Sequence, residues 1–407
     1  MLRPTFIREH WRLIAFGFFM CFCSSFGQTF FISWFGGEIR SSFGLSHGDF
    51  GSIYSIATLS SAAVLVWLGR TIDIVSLRSF SVAVVVGLAG ACLLMASAWN
   101  AVALGVAIFG LRLFGQGLVS HASLTAMGRY FKAERGRVIS LASLGYNFGE
   151  AVFPRLVVAA LVIIEWRMIW VAAAVALFVS LPMIGSFLKE LGTHDLLLKA
   201  RREESSAAGL DYRLAEVLRD PGLWMRLPAI VAPAFVFTGL IFHQVHMAQI
   251  KDWSPSLVAW SFGLAAVLSV VSTILAGPLI DWLSARRLMP FFLTPLIASC
   301  WVLYAVGGDL AAPLFFGLLG VNSGLTLVLL GAVWPELYGV THLGAIRSFG
   351  HAAMVFSSGL APAVMGLLID RGITFEQIAL GCAIYGVAAS VLASSVPRPR
   401  RASASEV

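Results

Sequence analysis

Charge is what this sequence lacks. Aspartate, glutamate, lysine and arginine together make up 12% of the 407 residues, about half of the roughly 25% that a water-facing domain carries. A soluble chain this poor in charge would expose large apolar patches and aggregate. The mean hydropathy of +0.87 makes lipid its main solvent. Other absences narrow the function. The five cysteines (Cys21, Cys23, Cys92, Cys300 and Cys382) all fall inside apolar runs, so they form neither a disulfide framework nor a metal cluster. No glycine-rich phosphate loop ending in lysine is present, which excludes an ATP-driven pump. No acid, base and nucleophile set accompanies His243 or His351, so an intramembrane enzyme lacks its machinery. No cofactor is implied.

What is present is a series of apolar runs at about 13–35, 50–69, 79–98, 101–127, 138–163 and 168–188. They resume at about 224–249, 257–280, 288–307, 311–334, 345–369 and 375–396. Each is long enough to cross a ~30 Å hydrocarbon core. Arg3, Arg8 and Arg12 precede the first run as in a signal peptide, but the run is too long and too aromatic for a cleaved segment. The reading is an all-α membrane protein of twelve spans. It divides into an N-terminal six-helix half (1–188), a linker with a short amphipathic helix (189–226), a C-terminal half (227–397) and a tail (398–407).

Of 28 lysines and arginines, Arg112 and Arg155 lie within runs and only Arg40, Arg167, Lys251 and Arg371 fall on one side. The other 22 share the opposite side with both termini, which the positive-inside rule makes cytoplasmic. The net charge of +7 therefore reports topology, not a nucleic-acid partner. The two halves also repeat. At one offset of 208 residues, Gly69 pairs with Gly277, Asp73 with Asp281, Gly136 with Gly344, Ser140 with Ser348 and Pro154 with Pro362. Duplicated helical halves are a transporter architecture, with the substrate site where they face each other.

These residues resemble the major facilitator superfamily over nearly the whole chain. Gly69-x-x-x-Asp73 with Arg78, repeated as Gly277-x-x-x-Asp281 with Arg286, is similar to the family's loop after the second span. Leu111-Arg112-Leu113-Phe114-Gly115-Gln116-Gly117 is similar to its Arg-x-x-x-Gln-Gly signature. Arg129-Tyr130-Phe131 through Glu134-Arg135-Gly136-Arg137 looks like the loop prominent in bacterial monocarboxylate and oxalate/formate-like members. The run Gly145 to Pro154 keeps only the two spaced glycines of the drug-antiporter pattern, and the first and eighth runs lack the charges of monocarboxylate carriers. The resemblance implies a monomeric secondary transporter of a bacterial inner membrane, working by alternating access. Its partners would be a small-molecule substrate, a coupling proton and the lipid bilayer. In the resemblance, Gly69, Asp73, Arg78, Gly277, Asp281 and Arg286 form a cytoplasmic gating latch.

The site candidates follow from cost. A charge at mid-membrane costs about 2.5–3.5 kcal/mol even on insertion scales, so such residues face the bundle interior or a cavity. Arg112 lies roughly 16 Å into its run, on a stripe with Gln116, Ser120 and Ser123. Its fork suits a carboxylate, which points to a small organic anion of monocarboxylate type; a structural ion pair is the other reading. Glu150, on a stripe with Asn147, is the candidate for proton coupling or a fixed partner of Arg112. His243 and His246, at helical spacing, make a weak metal pair with no third ligand, and suit hydrogen bonding to substrate better. Gln28, Asn322 and His351 complete the candidate lining; each such group is otherwise helix–helix glue. An efflux carrier for drug-like or amphipathic compounds is the alternative, favoured by the many aromatic residues of the first and seventh runs.

The topology has a direct check. Cysteines introduced at Ser205 and Ser405 should resist an impermeant maleimide added outside sealed cells; labelling of either would reverse the orientation.

Overall fold

In hydrocarbon every backbone polar group must find an internal partner, so a spanning segment of such a chain is helical unless something else satisfies its freed groups. The computed structural model describes residues 4–73, 75–131, 135–188, 212–338 and 343–395, and it is helical nearly throughout. Among the described residues, eight helices are long and apolar enough to cross a membrane, and nine when the bent pair near residue 28 counts as one span. They include Leu77–Ser97, Trp166–Phe187, Pro221–Phe242 and Ala311–Tyr338. Their outer faces carry large exposed apolar groups, among them Val179, Trp260, Ile274 and Trp282, as a lipid-facing surface requires.

Most boundaries agree with the apolar runs to within a few residues, and the exceptions are informative. The first run is not one straight helix. Pro4–Cys23 gives way to a tight turn at Ser24–Gly27, Gln28 is extended (φ −85°, ψ 151°), and helix resumes in pieces ending with Gly36–Phe43. The axis bends by 44° there. The seventh run is also interrupted. It starts at Pro221, capped by the Asp220 side chain on the Gly222 amide. Arg226, expected to end the linker, is therefore a buried residue inside this helix. The helix stops at Phe242, and Gln244–Ile250 begins a new one, so His243 and His246 do not share a continuous helical face. The run expected at 288–307 holds a helix of only 12 residues, Thr294–Ala305. The amphipathic helix expected before the seventh run is Leu214–Arg219.

Packing is close wherever glycine removes the side chain. Gly27 and Gly115 bring the broken first run against the fourth: a Cβ on Gly27 would lie 2.1 Å from the Leu111 carbonyl oxygen, and one on Gly115 would lie 2.6 Å from the Gly27 Cα. Around this crossing, Phe31 meets Trp170 edge-on at 5.2 Å, and Phe26 and Phe22 each lie 4.8 Å from Phe153. The aromatic residues of the first run are thus core packing against the helices Arg135–Leu161 and Trp166–Phe187.

Helices from either side of residues 189–211 also touch. His47–Leu68 lies along Leu343–Asp370, and Arg135–Leu161 along Pro255–Leu283. The contacts of the first pair run from Gly48 against Asp370, through Gly51 against Pro362, to Leu59 against Gly359. They occupy the end of the bundle away from the termini, called the distal end below.

Overpacking a backbone contact costs about 1–3 kcal/mol or more. Gly27→Ala should therefore lower the melting temperature of the purified protein in detergent by several degrees. Gly90→Ala, where a Cβ meets nothing within 4 Å, should not.

Candidate functional site

The fourth run explains how Arg112 is placed. Ala101–Gly110 is a regular α-helix, but the next nine residues, Leu111–Val119, are wound as a π-helix before α-helix resumes at Ser120. Such wide turns are rare and collect at functional sites. Here the widened turn coincides with the Gly27–Gly115 contact and aims Arg112 at the break in the first run. Arg112 Nη1 donates to the Gly27 carbonyl at 3.1 Å and to Thr29 Oγ1 at 3.3 Å. The Gly27 carbonyl needs that donor. Phe31 and Ile32 both bond back to the Gln28 carbonyl, so the break leaves Gly27 outside the helical ladder.

The rest of the environment is polar but carries no compensating charge. The Thr29 and Tyr54 hydroxyls share a 2.7 Å hydrogen bond, and the guanidinium lies 5.3 Å from the Tyr54 ring. Arg112 is 2% exposed, and its Nε has no acceptor. Among the described residues no carboxylate forms an ion pair with it. Glu150 instead follows Tyr146 by one turn on its own helix, and the two side chains lie within electrostatic range of each other. Tyr146 lies within electrostatic range of Arg112. The Tyr146 hydroxyl is thus within electrostatic range of both ionic groups, which form no ion pair with each other among the described residues.

The other candidates fall into distinct places. Gln28 sits in the break itself, and Gln116 lies beside Gly27 in the π segment; both are half-buried. Asn147 follows Tyr146 and is also half-buried. The side chains of these three make no hydrogen bond among the described residues, so their amides are free for a ligand. Asn322 is buried, with Nδ2 donating to the Phe292 carbonyl at 2.9 Å, which is a helix–helix tie. Ser123 is similar, donating to the Gly17 carbonyl at 2.8 Å. His351 is exposed on the helix Leu343–Asp370.

His243 and His246 belong to a separate cluster at the distal end. The His47 ring lies 4.1 Å from His246 and 5.6 Å from His243, and His243 Nε2 is 3.1 Å from the Pro362 carbonyl. Among the described residues no group of three or more His, Cys, Asp or Glu is placed to hold a metal. Nearby, a cavity of about 640 Å³ opens at the distal end between Trp34, Arg40, Val158, Leu161, Val245 and Gln249. In the latch motif, the Gly69 carbonyl accepts from His121 Nε2 at 3.2 Å, Arg78 is exposed, and Gly277 and Arg286 are half-buried. The side chains of Asp73 and Asp281 lie outside the described residues.

Tyr54, Thr29 and Tyr146 were not among the sequence candidates. Only Tyr146 had a signal in the sequence, one turn before Glu150 on the same stripe; Thr29 and Tyr54 become site residues through the break in the first run.

The sequence matches the Major Facilitator Superfamily over residues 17–317, close to three-quarters of the chain, and the protein belongs to that family. It is a membrane transporter, not an enzyme. No curated protein sequence matches it. Among solved structures, it is similar to a bacterial homologue of the human lysosomal transporter Spinster in an inward-facing and occupied conformation. That likeness has a TM-score of 0.70 at 14% identity and covers 99% of this chain and 100% of the other. A D-xylose–proton symporter gives 0.68 at 13% identity, covering 95% and 98%. The nucleoside transporter NupG gives 0.70 at 14%, also covering 95% and 98%. At these identities the likeness is one of fold.

The Arg112 anchor makes a prediction. Thr29→Val removes one acceptor of the guanidinium and the partner of Tyr54 while preserving shape. It should weaken ligand binding severalfold while lowering stability by about 1 kcal/mol. Equal binding by titration calorimetry would show that Thr29 does not orient the arginine.

Proposed function

We propose that this transporter is a twelve-span, two-half secondary carrier that moves a small organic anion, of monocarboxylate type, by alternating access. The observation that carries the reading is Arg112: a buried guanidinium whose Nε has no acceptor and which has no carboxylate partner among the described residues. A buried cation needs an anion or a full set of acceptors. A carbonyl, a hydroxyl and an aromatic face satisfy only part of it, and a substrate carboxylate supplies the remainder in the geometry a guanidinium prefers. Gln28, Gln116 and Asn147 offer the neutral donors and acceptors that would orient the rest of the molecule.

The two-half reading is supported by the helix boundaries. Shifted by 208 residues, His47–Leu68, Arg135–Leu161 and Trp166–Phe187 fall on the starts of Pro255–Leu283, Leu343–Asp370 and Phe375–Ser394 to within a residue. The break at His243 (φ −95°, ψ 19°) falls on Phe35 (φ −90°, ψ 3°). In this reading the packed distal seam is the outer gate, and the positive-inside rule puts both termini in the cytoplasm of a bacterial inner membrane. His243, His246 and His351 then lie away from the anion site, and Asn322 serves packing. In the same reading Asp73 and Asp281 latch the opposite, cytoplasmic end when it closes.

Glu150 is the coupling group of this reading. Tyr146 stands one turn from Glu150 and within electrostatic range of Arg112, so a proton taken up by Glu150 removes a negative charge that competes with an anion on Arg112. Binding of proton and substrate are then linked. In proteoliposomes Arg112→Ala should abolish counterflow of small carboxylates. Glu150→Gln should keep counterflow and lose accumulation driven by a pH gradient. Accumulation by Glu150→Gln at the wild-type level would assign Glu150 a structural role. Transport of cationic dyes with no effect of carboxylates would favour the drug-efflux alternative.

A further inference from the structure

The distal end is held shut by groups that belong to different halves of the sequence. At the start of the helix His47–Leu68, the first amides have no partners within the helix. Ser46 takes one of them, the Asp49 amide, at 3.0 Å. The Phe50 amide bonds to the Ser46 carbonyl. The remaining two are taken from across the molecule: Asp370 accepts from the His47 amide at 3.1 Å and from the Gly48 amide at 2.7 Å. A carboxylate at this end of a helix also meets the positive end of its dipole. Gly48 has to be glycine for this, because a Cβ would lie 2.5 Å from the carboxylate oxygen.

Two further clasps cross the same end. Gln244 Nε2, at the restart of the seventh run, donates to Ser33 Oγ at 2.9 Å and to the Phe30 carbonyl at 3.3 Å. On the opposite seam the Arg155 guanidinium lies 4.2 Å from the Trp260 ring. Beneath Asp370 the backbones themselves touch: a Cβ on Gly51 would lie 2.3 Å from the Pro362 oxygen, and one on Gly366 would lie 2.4 Å from the His47 oxygen. The carboxylate clasp has no mirror image. The position 208 residues before Asp370 is Val162, and the helix Pro255–Leu283 is capped by its own Ser254.

We propose that Asp370 is a positioning residue of the transport cycle: its carboxylate closes the distal gate by capping the helix His47–Leu68 across the seam, and the gate opens when that cap is released. Gln244 and Arg155 are the secondary clasps. The cap lies at the surface, where water can replace the carboxylate on the two amides, so the contact is reversible rather than a permanent weld. The backbone contacts below it then separate as one seam. This rests on the alternating-access reading, but on neither the substrate nor Arg112.

The test is a distance measurement on the full chain in lipid nanodiscs, with spin labels at Ser42 and Asp309. Both are exposed at the distal end, one on each side of the seam, and the native cysteines are buried. The unmodified gate should give mainly a short distance. Asp370→Ala should raise the ratio of long to short distances about tenfold, and Asp370→Asn, which keeps the shape but not the charge, should shift it less in the same direction. Glu376→Gln, which removes the 3.0 Å pair with Lys251 inside one half, should leave it unchanged. Wild-type distances in Asp370→Ala and Asp370→Asn, or a lower melting temperature with no change in distance, overturn the proposal. If Asp370→Ala does not fold, Asp370→Asn decides. A shifted ratio in a protein whose Arg112 binds no carboxylate leaves the gate standing and removes only the substrate reading.

Discussion

A guanidinium buried far from water and a helix broken in mid-membrane are each costly, and here each relieves the other. The break at Gln28 leaves the Gly27 carbonyl without an amide partner, which in hydrocarbon costs several kcal/mol on the usual scales. Arg112 supplies the donor. To reach it, the fourth run widens into a π-helix and presses its Gly115 against Gly27. The aromatic packing of Phe22, Phe26 and Phe31 then fixes the angle at which the first run continues. Much of the core of residues 4–188 depends on this one contact. It also leaves the arginine only partly satisfied, which a purely structural residue would not require.

The same contact marks the difference between two otherwise repeated sequences. At the position 208 residues after Arg112 stands Gly320, whose missing side chain lets the helix Ala311–Tyr338 rest on the Ala265 backbone, 2.2 Å from where a Cβ would lie. That helix is α-helical throughout and has no π segment, and Pro221–Phe242 runs unbroken through the position matching Gln28. One copy packs backbone on backbone; the other keeps a charge, a break and a widened turn. The buried charge, the break and the widened turn thus all lie before residue 189, with Tyr146 within electrostatic range of Arg112.

The distal end shows a different economy. Its closure uses glycine and backbone carbonyls together with the Asp370 carboxylate, the Gln244 amide, the Ser55 hydroxyl that accepts from the Ala363 amide at 3.2 Å, the Arg155–Trp260 contact, and the rings of Phe50 and Tyr54 against Phe242. Backbone contacts of this kind are close but carry little charge, so they separate together once the polar clasps let go. The histidines gather beside this seam and not beside Arg112, because the helix interruption at His243 turns them towards His47.

Composition and periodicity alone determined the solvent, the helical class and the positions of most spans, because lipid forces each crossing segment to be long, apolar and helical whatever its neighbours are. The cost of a charge in lipid also made Arg112 and Glu150 visible in the sequence. The partners were not visible. Glu150 stands at the depth of Arg112, and the obvious pairing is an ion pair, yet among the described residues the two form none and the Gly27 carbonyl takes the arginine. Likewise His243 and His246 read as a central polar pair, while Asn322 reads as cavity lining; the fold puts the first two at the distal seam and the third against Phe292. Those outcomes turn on where helices break and which glycines let backbones meet. Both are settled by hydrogen bonds between residues far apart in the chain, to which local sequence is blind.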